Sequence, residues 1–232
     1  NAASPLLVIP TVHPLGDRRI VRCAQVALTS GFRVHFLWLG EGDDASLDPS
    51  AGETLLPSPR NAIQRISKVG LTARLARELD AEIWHIHYFY FLSQARRWRR
   101  KTGKPVLYDV HEYYADYYSA KLRLPAVLRR QVARVLEQYQ VRAARDLGAA
   151  NVVTETMAHS FRAGGVPVAV SANYPVLAQF EGLPSVPFIE RRWTVLHIGT
   201  LSAEYGTKLL LDIVRRSAER NLPFEFVAIE RF

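Results

Sequence analysis

Short, wholly apolar runs alternate with longer stretches of helical period through most of this sequence, and that alternation is the strongest constraint on its fold. Leu6-Leu7-Val8-Ile9 is a continuous apolar run closed by Pro10, the pattern of a strand buried on both faces. Ile20, Cys23, Ala24, Ala27 and Leu28 then fall on one helical face, with Asp17 as N-cap and Gly31 as stop. Arg33 to Leu39 returns to strand character, with Val34, Phe36 and Trp38 on one side. A strand, a helix and a second strand joined by short loops open a parallel sheet, because parallel strands need a crossover between their distant ends.

The pattern continues. Residues 41–59 read as a loop with an edge strand at Glu53 to Leu56, and Asn61 to Leu79 as a basic helix with Ile63, Ile66, Leu71, Leu75 and Leu79 inward. Gly70 weakens or bends that helix. Strands are predicted at Ile83 to His87, Pro105 to Val110, Asn151 to Thr154 and Val168 to Ala172. Helices are predicted at Tyr90 to Lys101, from Pro125 to about Leu147, and at Met157 to Ala163. The long helix has Leu128, Val132, Val135, Leu136, Tyr139, Ala143 and Leu147 as its inward face. Pro175, Gly182, Pro184 and Pro187 then punctuate a linker. After it the alternation restarts, with a strand at Trp193 to Ile198, a helix at Gly206 to Ala218 and a strand at Phe224 to Ile229.

The predicted fold is therefore α/β. Residues 1–175 form a Rossmann-like parallel sheet with helices on both faces, 176–190 a linker, and 191–232 the start of an incomplete second α/β domain. Two parallel strands have too little core to stand alone. The expectation is a chain cut from a longer one, ahead of elements that dock on the first sheet or pair with another copy.

Composition narrows the partners. The 232 residues carry 30 Lys and Arg against 22 Asp and Glu, a formal charge of +8. Nucleic acid, an anionic membrane surface and a phosphorylated small molecule all suit that balance. Nucleic acid is disfavoured because no recognition module accompanies the charge. The basic run Arg96, Arg97, Arg99, Arg100, Lys101, Lys104 and the later Lys121, Arg123, Arg129, Arg130, Arg134 are interleaved with Trp98, Leu122 and Leu124. Such a surface either rests on anionic lipid or is solvated. The single cysteine, Cys23, excludes an internal disulfide and reads as a small buried group. No run is long enough for a transmembrane helix, and the first ten residues lack the flank of a signal peptide, so a cytoplasmic protein is expected.

Two loops carry candidate chemistry. The first, from Pro10 to Arg19, joins a strand's carboxyl end to a helix N-terminus. Gly16 lets backbone approach a ligand there, and free N–H groups favour an anion; a capped turn without ligand fits equally. It holds no G-x-G-x-x-G, which removes the simplest evidence for a dinucleotide oxidoreductase. The second is Tyr108-Asp109-Val110-His111-Glu112-Tyr113-Tyr114. His111 can donate to a sugar hydroxyl or face a phosphate, and Glu112 can accept from hydroxyls or act as general base in an inverting transfer. Alternatively Asp109 and His111 tie adjacent loops together. Of Tyr113, Tyr114, Tyr117 and Tyr118, at least two are expected to pack. His85 and His87 share one side of their strand. A metal there with His111 is disfavoured by the lack of a nearby cysteine or acidic-histidine constellation. Nothing marks a serine hydrolase, and neither Ser119 nor His159 is diagnostic.

Taken together these landmarks resemble family 4 glycosyltransferases of the GT-B fold. Val12-His13-Pro14-Leu15-Gly16-Asp17-Arg18-Arg19-Ile20 is similar to the family's first loop, in which D-x-R-[IV] enters the first helix. Ala24 through Val34 resembles its A-x-x-L-x-x-x-G-x-x-V continuation. Val106 through Glu112 resembles V-x-Y-D-x-H-E, Asn151 through Thr156 the strand before S-x-x-[LM], and Ser171 through Pro175 the N-x-P exit from the first domain. Leu196 through Gly206 resembles the Y-x-G-x-[LI]…G opening of the second.

The resemblance implies two facing Rossmann-like domains, with the acceptor on the N-terminal one and the nucleotide-diphospho-sugar on the C-terminal one. It implies a hexosyl transfer to a glycan or lipid-linked acceptor with retention, and a donor of UDP or GDP type with no metal. Gly16 and Asp17 would then face the donor, His111 the transferred sugar, and Gly199, Thr200 and Lys208 the diphosphate. Because the leaving phosphate can assist the incoming hydroxyl in a front-face mechanism, Glu112 need not be a base. The sequence departs from the family at Thr200 and Tyr205, where Arg and Lys are usual, and the family's E-x7-E segment would fall beyond Phe232. These 232 residues are therefore expected to be inactive alone. The alternatives are a non-catalytic sugar- or partner-binding relative, or a GT-B nucleotide-sugar epimerase. Further implied expectations are attachment at the inner face of a membrane and self-association through the C-terminal elements.

Overall fold

In the computed structural model, residues 4–11, 18–39, 51–56, 62–174, 177–203 and 205–229 are described. The chain divides into two compact units, Asn1–Tyr174 and Pro175–Phe232.

The first unit is built on seven strands: β1 (Leu6–Thr11), β2 (Arg33–Leu39), β3 (Gly52–Leu56), β4 (Ile83–Ile86), β5 (Val106–Val110), β6 (Gly148–Val152) and β7 (Val168–Val170). Their order is β3-β2-β1-β4-β5-β6-β7 and every pairing is parallel. The order reverses between β1 and β4, so the connections leave the sheet in opposite directions there and open a crevice at the carboxyl ends of the strands.

Helices cover the two faces unequally. α2 (Ala62–Glu78), α3 (Leu92–Thr102), α5 (Ala126–Leu147) and α6 (Glu155–Ala163) pack on one face, around Val8, Trp84, Ile86, Tyr108, Val110 and Val152. α1 (Arg18–Thr29) packs on the other through Ile20, Ala24 and Ala27 against Leu7, Ile9, Val34 and Phe36. Strand alternation decides which side chain meets which layer. Trp84 and Ile86 enter the larger core, whereas Ile83 packs with the α1 layer. Each fully buried aliphatic side chain contributes about 2 kcal/mol by leaving water, and Val8, Ile9, Leu37 and Leu92 are such residues.

Several boundaries differ from the sequence reading. A seven-residue helix, α4 (Tyr114–Ala120), occupies the tyrosine-rich stretch and buries Tyr114 and Ser119. β6 runs over Gly148–Val152, not from Asn151 to Thr154, because Gly148 ends α5 with φ 102° and passes straight into the strand. Thr154 instead caps α6, its hydroxyl accepting from the Met157 N–H at 3.2 Å. On α5 the expected inward residues Leu128 and Val135 are 45% and 64% exposed. The first half of that helix leans over a cavity, and the sheet is met by Gln140, Ala143, Ala144 and Leu147. Cys23 is half-buried, not enclosed.

The second unit has a parallel pair, β8 (Thr194–Ile198) and β9 (Glu225–Ile229), joined by α7 (Thr207–Glu219). Leu196, Ile198, Leu209, Leu211 and Ile213 are exposed, and Ser217 is its one buried side chain among the described residues.

Two glycines give opposite expectations. A Cβ at Gly148 would lie 2.7 Å from Arg99 Nη1 in a left-handed backbone, so Gly148→Ala should lower the unfolding free energy by about 2 kcal/mol. Gly70 lies inside α2 with nothing within 4 Å of an added Cβ, so Gly70→Ala should raise it by about 0.5–1 kcal/mol. Urea unfolding of the two variants checks both signs.

Candidate functional site

The β4 sequence Ile-Trp-His-Ile, followed by His87, puts apolar residues on one side and His85 and His87 on the other. Leu107 and Asp109 of β5 and Asn151 of β6 share that second side, which α1 borders. The polar residues meet there. Asp109 is fully buried and accepts from Arg19 Nε at 2.7 Å and from Arg19 Nη2. It also accepts from His87 Nδ1 at 3.0 Å and from Asn151 Nδ2 at 2.9 Å. Arg19 continues outward, donating through Nη1 to the Ser171 carbonyl at 3.0 Å and to Asn173 Oδ1 at 2.9 Å. Arg22, one turn on, donates to the Tyr174 carbonyl. One carboxylate thus joins α1, β4, β5 and β6, and its arginine partner holds the segment that follows β7.

Burial alone pushes the Asp109 carboxyl up. The hydrogen bonds from His87 and Arg19, with the charge of His87, outweigh that and hold it well below the usual carboxylate range. His85 shows the opposite balance. Burial, then the neighbouring charges of His87 and Arg19, push its pKa down to about 3 against a smaller opposing pull from Asp109. Its ring lies 4.4 Å from that of His87, and neither of its nitrogens has a hydrogen-bond partner among the described residues.

His111 follows β5 directly, its Nδ1 4.0 Å from Asp109 Oδ2. The edges of Tyr88 and Tyr114 frame its ring, with centroids 6.3 and 6.1 Å away, and Tyr114 is fixed by donating to the His87 carbonyl at 2.8 Å. His111 is therefore a mostly sheltered imidazole held at the strand's carboxyl end, beside a carboxylate of settled charge. Glu112, the next residue, is exposed. It lines a cavity of about 630 Å³ enclosed by α4, α5 and α6. Tyr113 and Tyr117 are about half exposed, while Tyr114 is buried and Tyr118 packs on Phe89 at 5.6 Å.

Gly16 and Asp17 lie outside the described residues. Gly199, Thr200 and Lys208 belong to the second unit, where Gly199 leaves β8 with φ 141° and Lys208 sits in the first turn of α7. Gly206 caps that helix with φ 79°, a backbone that glycine adopts without strain.

Among the described residues two side-chain groups have the composition of metal ligands: Cys23, His85 and Asp109, and His87, Asp109 and His111, with ligand atoms within 4.8 Å of one another. Cys23 thus lies near the histidines in space, contrary to the sequence reading. In both groups Asp109 already serves Arg19, His87 and Asn151, and a guanidinium beside the carboxylate opposes a second cation. The donor set fits a hydrogen-bond network better than a metal. Arg19 and Asn151 were not foreseen as members. Their partners lie 90 and 42 residues away, and the only sequence signal was the D-x-R motif at Arg19.

The family model for Glycosyltransferase Family 4 matches residues 17–173, well over half of the chain. No curated protein sequence matches it. Among solved structures, UGT2 of Phytolacca americana, complexed with UDP-2fluoro-glucose and pterostilbene, is 15% identical over 100% of this chain and 72% of its own, with a TM-score of 0.55. The lipopolysaccharide outer core galactosyltransferase WaaB is 10% identical over 97% and 68%, with a TM-score of 0.57. HepE of Anabaena, in complex with UDP, is 12% identical over 98% and 69%, with a TM-score of 0.56. At such identities the likeness is one of fold, and the fold is the GT-B glycosyltransferase type.

His85 yields a pH signature. Its folded pKa lies below its ordinary value, so unfolding takes up a proton when the pH falls below about 6.5, and stability drops with pH. Between about pH 5.5 and 4.5 the wild type should lose about 1.3 kcal/mol per pH unit more than His85→Leu does. Urea titrations across that window measure the difference in slope.

Proposed function

The chain belongs to Glycosyltransferase Family 4, and from that membership we propose that the protein moves a hexosyl group from a UDP- or GDP-sugar to a glycan or lipid-linked acceptor, with retention at the anomeric carbon. The carrying observation is the placement of His111, a sheltered imidazole at the end of β5 next to the buried charge of Asp109. A rigid donor at a strand end is suited to orienting a sugar hydroxyl and to stabilising charge that develops during transfer. Glu112 stands beside it, exposed and on the cavity wall, and accepts from acceptor hydroxyls without serving as the base. In the second unit, Gly199, Thr200 and the start of α7 with Lys208 form a strand–loop–helix turn suited to a diphosphate, since helix N-termini favour anions. No metal is required, the diphosphate charge being met by backbone N–H groups and Lys208.

The neighbours support the donor class: UGT2 is complexed with UDP-2fluoro-glucose and HepE with UDP. The described residues contain no helix long and apolar enough to cross a membrane. Leu122, Leu124, Val127 and Leu128 are exposed beside Lys121, Arg123 and Arg130, an arrangement suited to resting on an anionic lipid surface. The second unit carries two strands and one helix within these residues, so the 232 residues alone are expected to show no turnover.

The test uses the protein expressed from its own gene, incubated with a panel of UDP- and GDP-sugars and membrane extract as acceptor. Transfer with retention is expected, with kcat lowered roughly a hundredfold or more in His111→Ala. Absence of transfer from every nucleotide sugar overturns the reading. An inverted product overturns retention and gives Glu112 the role of base.

A further inference from the structure

Three arginines face the cavity between α4, α5 and α6, and their pairing is unusual. Arg129, Arg130 and Arg134 of α5 all line it, Arg130 and Arg134 one turn apart on the helix. Glu112, Asp116 and Glu137 line the same hollow. Among the described residues none of these arginines lies within 4.0 Å of a carboxylate. The Arg129 Nε is enclosed and has no hydrogen-bond partner there. A guanidinium stays charged at any physiological pH, and an enclosed N–H without an acceptor is costly. The cavity wall is completed by Thr156 in the first turn of α6, whose free N–H groups add positive potential.

We propose that this cavity binds the phosphate of a phosphorylated sugar or glycan, which on the reading above is the acceptor. The arginine forks take the phosphate oxygens, for which their planar geometry is matched. The unpaired carboxylates of Glu112, Asp116 and Glu137 take sugar hydroxyls. A hollow of about 630 Å³ falls in the size range of small-molecule sites. Its lining includes Val110 and Glu112, the neighbours of His111 in sequence, so a sugar anchored by its phosphate presents its hydroxyls toward the end of β5. The phosphate is held and not transferred. It can arrive on a soluble sugar phosphate or on a lipid-linked one.

Calorimetry on the 232-residue chain tests the proposal without requiring turnover. Glucose 1-phosphate is the soluble probe and glucose its uncharged control, while phosphatidylcholine vesicles with and without phosphatidic acid present a lipid-borne phosphate. Glucose 1-phosphate should bind at least about tenfold more tightly than glucose, the worth of one charge-assisted hydrogen bond. Arg129→Ala and Arg134→Ala should each remove about tenfold, whereas Arg145→Ala, exposed at the far end of the same helix, should leave affinity unchanged. Thermal melts of the variants verify folding. Vesicle binding that requires phosphatidic acid and is lost in the same two variants assigns the phosphate to a lipid. Binding of glucose 1-phosphate alone assigns it to a soluble sugar. Equal affinity for glucose and its phosphate, or affinity insensitive to Arg129 and Arg134, overturns the proposal. Because sugar transfer is measured separately, transfer to a phosphorylated acceptor by Arg129→Ala at the wild-type rate would sink this inference while leaving the transferase reading intact.

Discussion

A carboxylate taken out of water is tolerated only when other groups replace the solvent, and Asp109 meets that condition with donors from Arg19, His87 and Asn151. The arrangement has a structural consequence beyond charge balance. Each donor comes from a different element, so the carboxylate fixes the start of α1, the end of β4 and the middle of β6 relative to β5. Arg19 carries the constraint further, to Ser171 and Asn173 after β7. The sheet supplies the scaffold, but this buried charge aligns the strand ends at which His111 stands. Losing one donor would leave a buried charge short of compensation, the costly case for a buried pair.

The same network explains why one face of the sheet is polar near its carboxyl end. The larger core, around Trp84 and Tyr108, is apolar; Gln140 donates to the Tyr108 hydroxyl at 3.0 Å, while the Trp84 and Trp98 indole N–H groups have no partner among the described residues. The opposite face carries His85, Asp109 and Asn151. Beside α1, His85 and Asn151 border a cavity of about 800 Å³ that Cys23 and Arg22 also line.

Much of this architecture was legible in the sequence because parallel strands buried on both faces leave continuous apolar runs such as Leu6 to Ile9 and Phe36 to Leu39. Their order and the crossovers between them follow from short loops and helical period. What was not legible has local causes. α4 is made of Tyr, Asp, Ser and Ala, of which only Ala favours helix strongly, so its existence depends on burying Tyr114. The start of β6 was misplaced because a glycine that ends a helix and one that begins a strand look alike in sequence. On α5 the spacing of Leu128 and Val135 is helical, yet spacing cannot tell a face packed on a sheet from one left exposed. In the site, His111 and Glu112 were visible as a strand-end motif. Arg19 and Asn151 were not, since a hydrogen bond to Asp109 across 90 or 42 residues has no periodic trace.

The Arg19–Asp109 pair organises the first unit, and a double-mutant cycle measures how strongly. Urea unfolding of Arg19→Met, Asp109→Asn and the double variant separates the pair energy from the cost of each side chain. Each single change should cost about 3–5 kcal/mol, and the double should cost less than their sum by about 2–3 kcal/mol. Costs that add to within about 0.5 kcal/mol would contradict the account, because the two groups would then contribute independently and the strand ends would owe their alignment to packing alone.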